Sequence, residues 1–142
     1  MASVRDSIYA QFITLLAAIT GVTATGEGQD WPQLEEYNEA QLPLVWIRHA
    51  ATGKMDKIPT KYKITERITI RVYFVDLNLI ENETTAESWI EKVIEKMESN
   101  WNLTGVVDYI TLKTYTIRER LFPVSSIEVT YDVDYHTTRT NF

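Results

Sequence analysis

Residues 61–76, KYKITERITIRVYFVD, and residues 124–136, VSSIEVTYDVDYH, each alternate polar and apolar side chains for the length of a strand. In the first stretch Tyr62, Ile64, Ile68, Ile70, Val72 and Phe74 share one face, with Glu66 the one exception. Lys61, Lys63, Thr65, Arg67, Thr69 and Arg71 share the other. In the second stretch Ile127, Val129, Tyr131, Val133 and Tyr135 oppose Ser126, Glu128, Thr130, Asp132, Asp134 and His136. Successive side chains of a strand point to opposite sides, so this pattern predicts half-buried strands with one face on a core. The outward faces carry opposite charge, basic on the first strand and acidic on the second.

The remaining elements fall around these two. A helix is expected over residues 3–20, with Ser3 as cap and Asp6 three residues on. Its apolar face is Val4, Ile8, Phe12, Leu15, Leu16 and Ile19, and Gly21 ends it. Residues 21–42 hold Gly26, Gly28 and Pro32 and five acidic residues, Glu27, Asp30, Glu35, Glu36 and Glu39, with no Lys or Arg. They read as a long acidic loop, anchored in part by Trp31 and Tyr37. Leu44, Val45, Trp46 and Ile47 form a continuous apolar run, which predicts a buried strand at about 43–50. Residues 51–60, ATGKMDKIPT, make an extended connection, too long for a tight hairpin turn.

A second helix is expected over 84–101. Thr84 and Glu87 have capping-box spacing, and Ala86, Ile90, Val93, Ile94, Met97 and Trp101 line one face. Two strands follow, at about 106–120 and 124–136. The order α-β-β-α-β-β predicts one α+β domain over residues 1–142, an antiparallel four-stranded sheet with both helices packed on one face.

At 142 residues the chain is long enough for one domain with a substantial core. A formal charge of −6 argues against nonspecific binding to nucleic acid, which requires a basic footprint. The absence of cysteine excludes disulfides, thiol catalysis and cysteine zinc sites. Polar residues interrupt the first apolar stretch, so it reads as an amphipathic helix rather than a signal peptide, and no segment has the apolar length of a membrane span.

Catalytic patterns are missing. His49 and His136 lie far apart and neither has metal-ligand spacing. Asp132 and Asp134 share a strand face about 7 Å apart, but alternating polar residues on an exposed strand account for them. The scattered glycines form no phosphate loop, and no serine stands in a nucleophile elbow. The chain reads as a non-enzyme without cofactor or metal.

Charge is more informative. Residues 54–71 carry Lys54, Lys57, Lys61, Lys63, Arg67 and Arg71 against Asp56 and Glu66, a net of +4 from six minus two. Glu128, Asp132 and Asp134 give residues 126–134 a charge of −3. Such blocks pair either internally, across neighbouring strands, or between copies of the chain.

The succession of elements resembles the tail-terminator (tail-completion) proteins of long-tailed bacteriophages. The shared features are the N-terminal amphipathic helix, a polar loop ending in LPLVWI at 42–47, the long alternating strand, the helix at 84–101, and the final strand IEVTYDVDY at 127–135. The resemblance implies a structural virion protein forming a ring, hexameric in that family, which caps the tail tube, ends its polymerisation and offers the head a docking surface. It implies no cofactor and no catalysis. The implied partners are further copies of the chain, the major tail tube protein and a head-completion or connector protein. The implied place is the head–tail junction of the virion, reached by assembly in the host cytoplasm. DNA passes through such a ring, without specific nucleic-acid binding and without a membrane. Candidate contact residues are Lys54, Met55, Lys57 and Ile58 in the connection, with Lys61, Lys63, Arg67 and Arg71 on the basic strand. Glu35 and Glu36 of the loop and Glu128, Asp132 and Asp134 of the acidic strand complete the set. Another neck protein, or a small α+β enzyme or ligand-binding domain, remains an alternative.

Overall fold

The two alternating segments pair with each other, and the rest of the fold is arranged on them. The computed structural model describes residues 4–32, 42–50, 53–59, 61–75, 82–117 and 124–138. The elements run α1 (Val4–Ala17), β1 (Ala24–Gly28), β2 (Leu44–Arg48), β3 (Gly53–Ile58), β4 (Lys61–Val75), α2 (Asn82–Glu98), a 3-10 turn at Leu103–Gly105, β5 (Tyr109–Ile117) and β6 (Val124–Thr138). β4 and β6 are antiparallel over their whole lengths, from Lys61 opposite Thr138 to Val75 opposite Val124. Fifteen residues at about 3.4 Å each make this ribbon about 50 Å long.

The sheet order is β1-β2-β4-β6-β5, with β3 beside the first half of β4. Every pairing is antiparallel except β1 with β2. Both helices lie on one face. Ile8, Tyr9, Phe12 and Leu16 of α1 and Ala86, Trp89, Ile90, Val93 and Met97 of α2 join one buried cluster with Ile64, Ile68, Ile70 and Val72 of β4 and Ile127, Val129, Tyr131 and Val133 of β6. The α+β class and the single helical layer therefore agree with the sequence reading.

The sheet has six strands where four are expected, and the order is α-β-β-β-β-α-β-β. Both additional strands lie in segments read as connections. β3 pairs with β4 from Gly53 opposite Glu66 to Ile58 opposite Lys61, so the 51–60 connection is mostly a strand antiparallel to β4. β2 and β3 border the same edge of β4, with Arg48 opposite Thr69 and Gly53 opposite Glu66. Between these two pairings only Arg67 and Ile68 of β4 intervene, so β2 and β3 follow one another along a single edge.

β1 forms inside the expected acidic loop. Its sequence ATGEG has little intrinsic strand preference. Its glycines instead provide a flat bed for a ring: Gly26 stands beside Trp46, and a Cβ on Gly26 would lie 2.4 Å from the indole. Trp46 Nε1 also donates to the Asp30 carbonyl at 3.0 Å. Gly26→Ala is accordingly expected to displace the indole and cost about 1–3 kcal/mol. A lowered denaturation midpoint with red-shifted tryptophan emission would report it, and an unchanged midpoint would contradict the packing.

Helix bounds also differ at their ends. α1 is shorter than 3–20, and Ser3 lies outside the described residues. α2 begins at Asn82, two residues before the expected cap, and the Thr84 side chain lies outside the described residues. Trp101, expected on the apolar face of α2, follows the helix and is 54% exposed.

Candidate assembly surface

The outward face of the sheet satisfies most of its own charge. Arg67 lies opposite Asp132 and its Nε donates to that carboxylate at 3.0 Å, while Lys113 Nζ approaches the second oxygen at 3.6 Å. Arg71 lies opposite Glu128, to which its Nε donates at 3.0 Å and its Nη2 also donates. A third nitrogen of Arg71 donates to the Tyr73 hydroxyl at 3.0 Å. Trp31 then covers the guanidinium, its ring centre 3.7 Å from Arg71 Cζ and 5.5 Å from Arg48 Cζ. With 12% of its side chain exposed, Arg71 has donors and π face engaged within the chain. Asp134, almost buried, accepts from Thr65. Arg67, Arg71, Glu128, Asp132 and Asp134 are thus brought together as cross-strand partners. Glu35 and Glu36 lie outside the described residues.

The other candidates lie on the β3–β4 arm and are disposed differently. Lys54, Met55, Lys57, Lys61 and Lys63 are exposed and Ile58 is half-buried. Among the described residues, none of these four lysines has an ion-pair partner. Met55, at 47% exposure, is a large apolar side chain in water. Because β3 pairs with β4 on one side only, its other backbone edge is unpaired by any described strand. The arm therefore presents free positive charge, an apolar side chain and a strand edge together.

Glu66, the exception in the alternation, fixes the root of this arm. It sits on the helix side of β4 with 4% exposure, and Arg5 of α1 reaches it, Nε to Oε1 at 3.1 Å. The Tyr135 hydroxyl donates to the same carboxylate at 3.2 Å. Arg5 also donates to the Ala50 carbonyl just beyond β2, and the Ala50 N–H donates to the Tyr9 hydroxyl at 3.0 Å. Tyr9 in turn stacks on His49 with ring centres 3.9 Å apart. A Cβ on Gly53 would stand 2.9 Å from Glu66 Cγ, so the first residue of β3 has to be small. A buried carboxylate is tolerable only with such partners.

Burial raises the tyrosine hydroxyls of Tyr9, Tyr131 and Tyr135 above the ordinary phenol value; for Tyr135 the nearby Glu66 adds to the effect. A raised folded-state value means the neutral phenol is the form the fold accepts. Its contribution is complete below the unfolded value of about 10 and is lost as pH rises beyond it. Stability is thus expected to fall steeply above about pH 10. Tyr131 and Tyr135 should also part company on substitution by phenylalanine. Among the described residues the Tyr131 hydroxyl has no hydrogen-bond partner, so Tyr131→Phe should be neutral or stabilising by up to about 1 kcal/mol. Tyr135→Phe removes a donor from Glu66 and should cost about 1–2 kcal/mol. Denaturation curves at neutral and alkaline pH would show both effects.

Some surface features have no counterpart in the sequence reading. On the helix side of the sheet's far edge, Tyr115 and Ile117 of β5 meet Glu87, Ile90, Glu91 and Ile94 of α2 in a shallow groove. Tyr115 is 61% and Ile117 38% exposed. Alternation in YITLKTYTI is broken by a register shift between Leu112 and Thr114, which hides which face the later residues occupy. Among the described residues, Asp132 pairs with Arg67, Asp134 accepts from Thr65 and His136 pairs with Asp108. Among the described residues no group of three His, Cys, Asp or Glu is placed to hold a metal ion.

Fold and surface together define a two-layer α+β protein with an exposed strand arm at one sheet edge and an apolar groove at the other. No family profile and no curated protein matches the chain. Among solved structures it is similar to a chain in the virion of a native gene transfer agent particle, with a TM-score of 0.50. That alignment covers 95% of this chain and 96% of the other at 6% identity, a likeness of fold.

Proposed function

We propose that the chain is a structural protein of a phage-like virion. It is a subunit of a ring, hexameric on the family resemblance, that caps the tail tube, ends its polymerisation and provides the head-docking surface. The observation that carries this reading is the shared fold with a virion chain over nearly the full length of both molecules. The arm supports it, since exposed lysines with no ion-pair partner among the described residues and an exposed Met55 suit contact with another protein.

The molecular surface allows the reading. Two interfaces of about 800 Å² per side would occupy about a fifth of its 8229 Å². A net charge of −6 suits a channel through which DNA must slide. In this reading the partners are further copies of the chain, the major tail tube protein and a head-completion or connector protein. The protein catalyses nothing and needs no cofactor.

Light scattering and electron microscopy should find ring-shaped oligomers, at least in the presence of tail tube. Adding the protein to polymerising tube should stop elongation. A strict monomer that leaves tube length unchanged would overturn the assignment.

A further inference from the structure

We propose that the arm of one subunit seats in the groove between α2 and β5 of the next, with Met55 on the apolar floor and Lys57 against Glu87 and Glu91. This rests on the ring reading above and specifies its contact.

The chemistry of the two surfaces matches. Met55 lies opposite Ile64 and Lys57 opposite Tyr62, so both project toward the helix side of the sheet. They stand two residues apart, about 7 Å along the strand. The groove offers Ile90, Ile94, Tyr115 and Ile117 as floor and Glu87 and Glu91 as rim. Those two glutamates are one helical turn apart and both exposed. A thioether packs well on a tyrosine ring and adapts to irregular apolar gaps. An ammonium one strand-step away then reaches a pair of carboxylates. The occupant is thus an apolar–basic strand, and the arm carries that sequence.

Topology makes the contact intermolecular. β3 and β5 are separated by β4 and β6, about 14 Å across three strand spacings. β4 stays hydrogen-bonded to β6 from the arm to the core, so the arm cannot fold back over the sheet. Donor and acceptor occupy opposite edges of one subunit, and a contact between two different patches propagates head to tail, the kind of contact from which a ring closes when the rotation between subunits brings the last copy back to the first.

The chain contains no cysteine, so introduced thiols report contact without background. Met55→Cys and Tyr115→Cys replace exposed side chains and should leave the fold intact, which circular dichroism and the melting temperature would verify. Treated with a short bis-maleimide, a mixture of the two single variants should give cross-linked dimers, and either variant alone none. The double variant should give a ladder ending at the ring's subunit number. Rings that form without this cross-link would overturn the arm-in-groove contact and leave the ring reading standing. Cross-linking of Met55→Cys to itself would replace it with a two-fold contact. A protein that never assembles would overturn both readings.

Discussion

Arg5→Ala should lower the unfolding free energy by about 2–3 kcal/mol, among the largest effects of any single polar change in this chain. Removing one partner of a buried pair leaves the other desolvated and uncompensated, which costs about 3–5 kcal/mol when both are deep. Here the Arg5 side chain is 33% exposed and Glu66 5%, so the pair is reachable by water from one side and the loss is smaller. Tyr135 would still donate to the carboxylate. The Ala50 carbonyl would also lose the Arg5 donor. A double replacement, Arg5→Met with Glu66→Leu, should regain only part of the loss, because the apolar pair carries no desolvation penalty but the Tyr135 hydroxyl and the Ala50 carbonyl are left without their partners. Chemical denaturation of the three proteins checks this. A single variant as stable as the parent would show that the ion pair contributes nothing.

The second large effect concerns assembly. Lys57→Glu should weaken self-association at least tenfold while leaving the melting temperature within a few degrees of the parent's. Lys57 is exposed and has no ion-pair partner among the described residues, so the monomer loses no contact there. In the proposed ring it would face Glu87 and Glu91 of the neighbour, and reversal creates three like charges at close range. Assembly of the parent should weaken with salt, and that of the variant should depend on salt less. Adding Glu87→Lys and Glu91→Lys to the reversed protein should restore association. Sedimentation or light scattering over a concentration series would measure all three. Unchanged assembly in Lys57→Glu would remove Lys57 from the contact.

The two long strands are legible from their alternation because each has one dry face and one wet face along its whole length. Opposite charges on the outward faces also allow the pairing: Arg67 meets Asp132 and Arg71 meets Glu128 in the register that places the apolar faces together. The four-strand estimate fails where strands form for reasons outside their own residues. β1 is two glycines, a threonine, an alanine and a glutamate, held in place by Trp46, which lies some twenty residues further along the chain. β3 is exposed along nearly its whole length, so burial imposes no period on GKMDKI. Of the candidate surface, the lysines of the arm are legible as a charge block. Their division from Arg67 and Arg71 is not, because it depends on which strand lies opposite. Residues 61–63 extend beyond the end of β5, whereas residues 65–71 face acidic side chains and Trp31. The groove is hidden by the break in β5 register and by the exposure of residues that are apolar in sequence.

The paired run of β4 and β6 has a kinetic meaning. A docking segment that is disordered until it binds must surrender backbone freedom of about 1–2 kcal/mol per residue when it does. The proposed docking strand, β3, is one rail of a ribbon whose other rails continue into the core, so its shape exists before any encounter. In the proposed ring, closure would then be a rigid-body event governed by orientation and electrostatic steering. Its rate should track salt concentration rather than the folding of an arm.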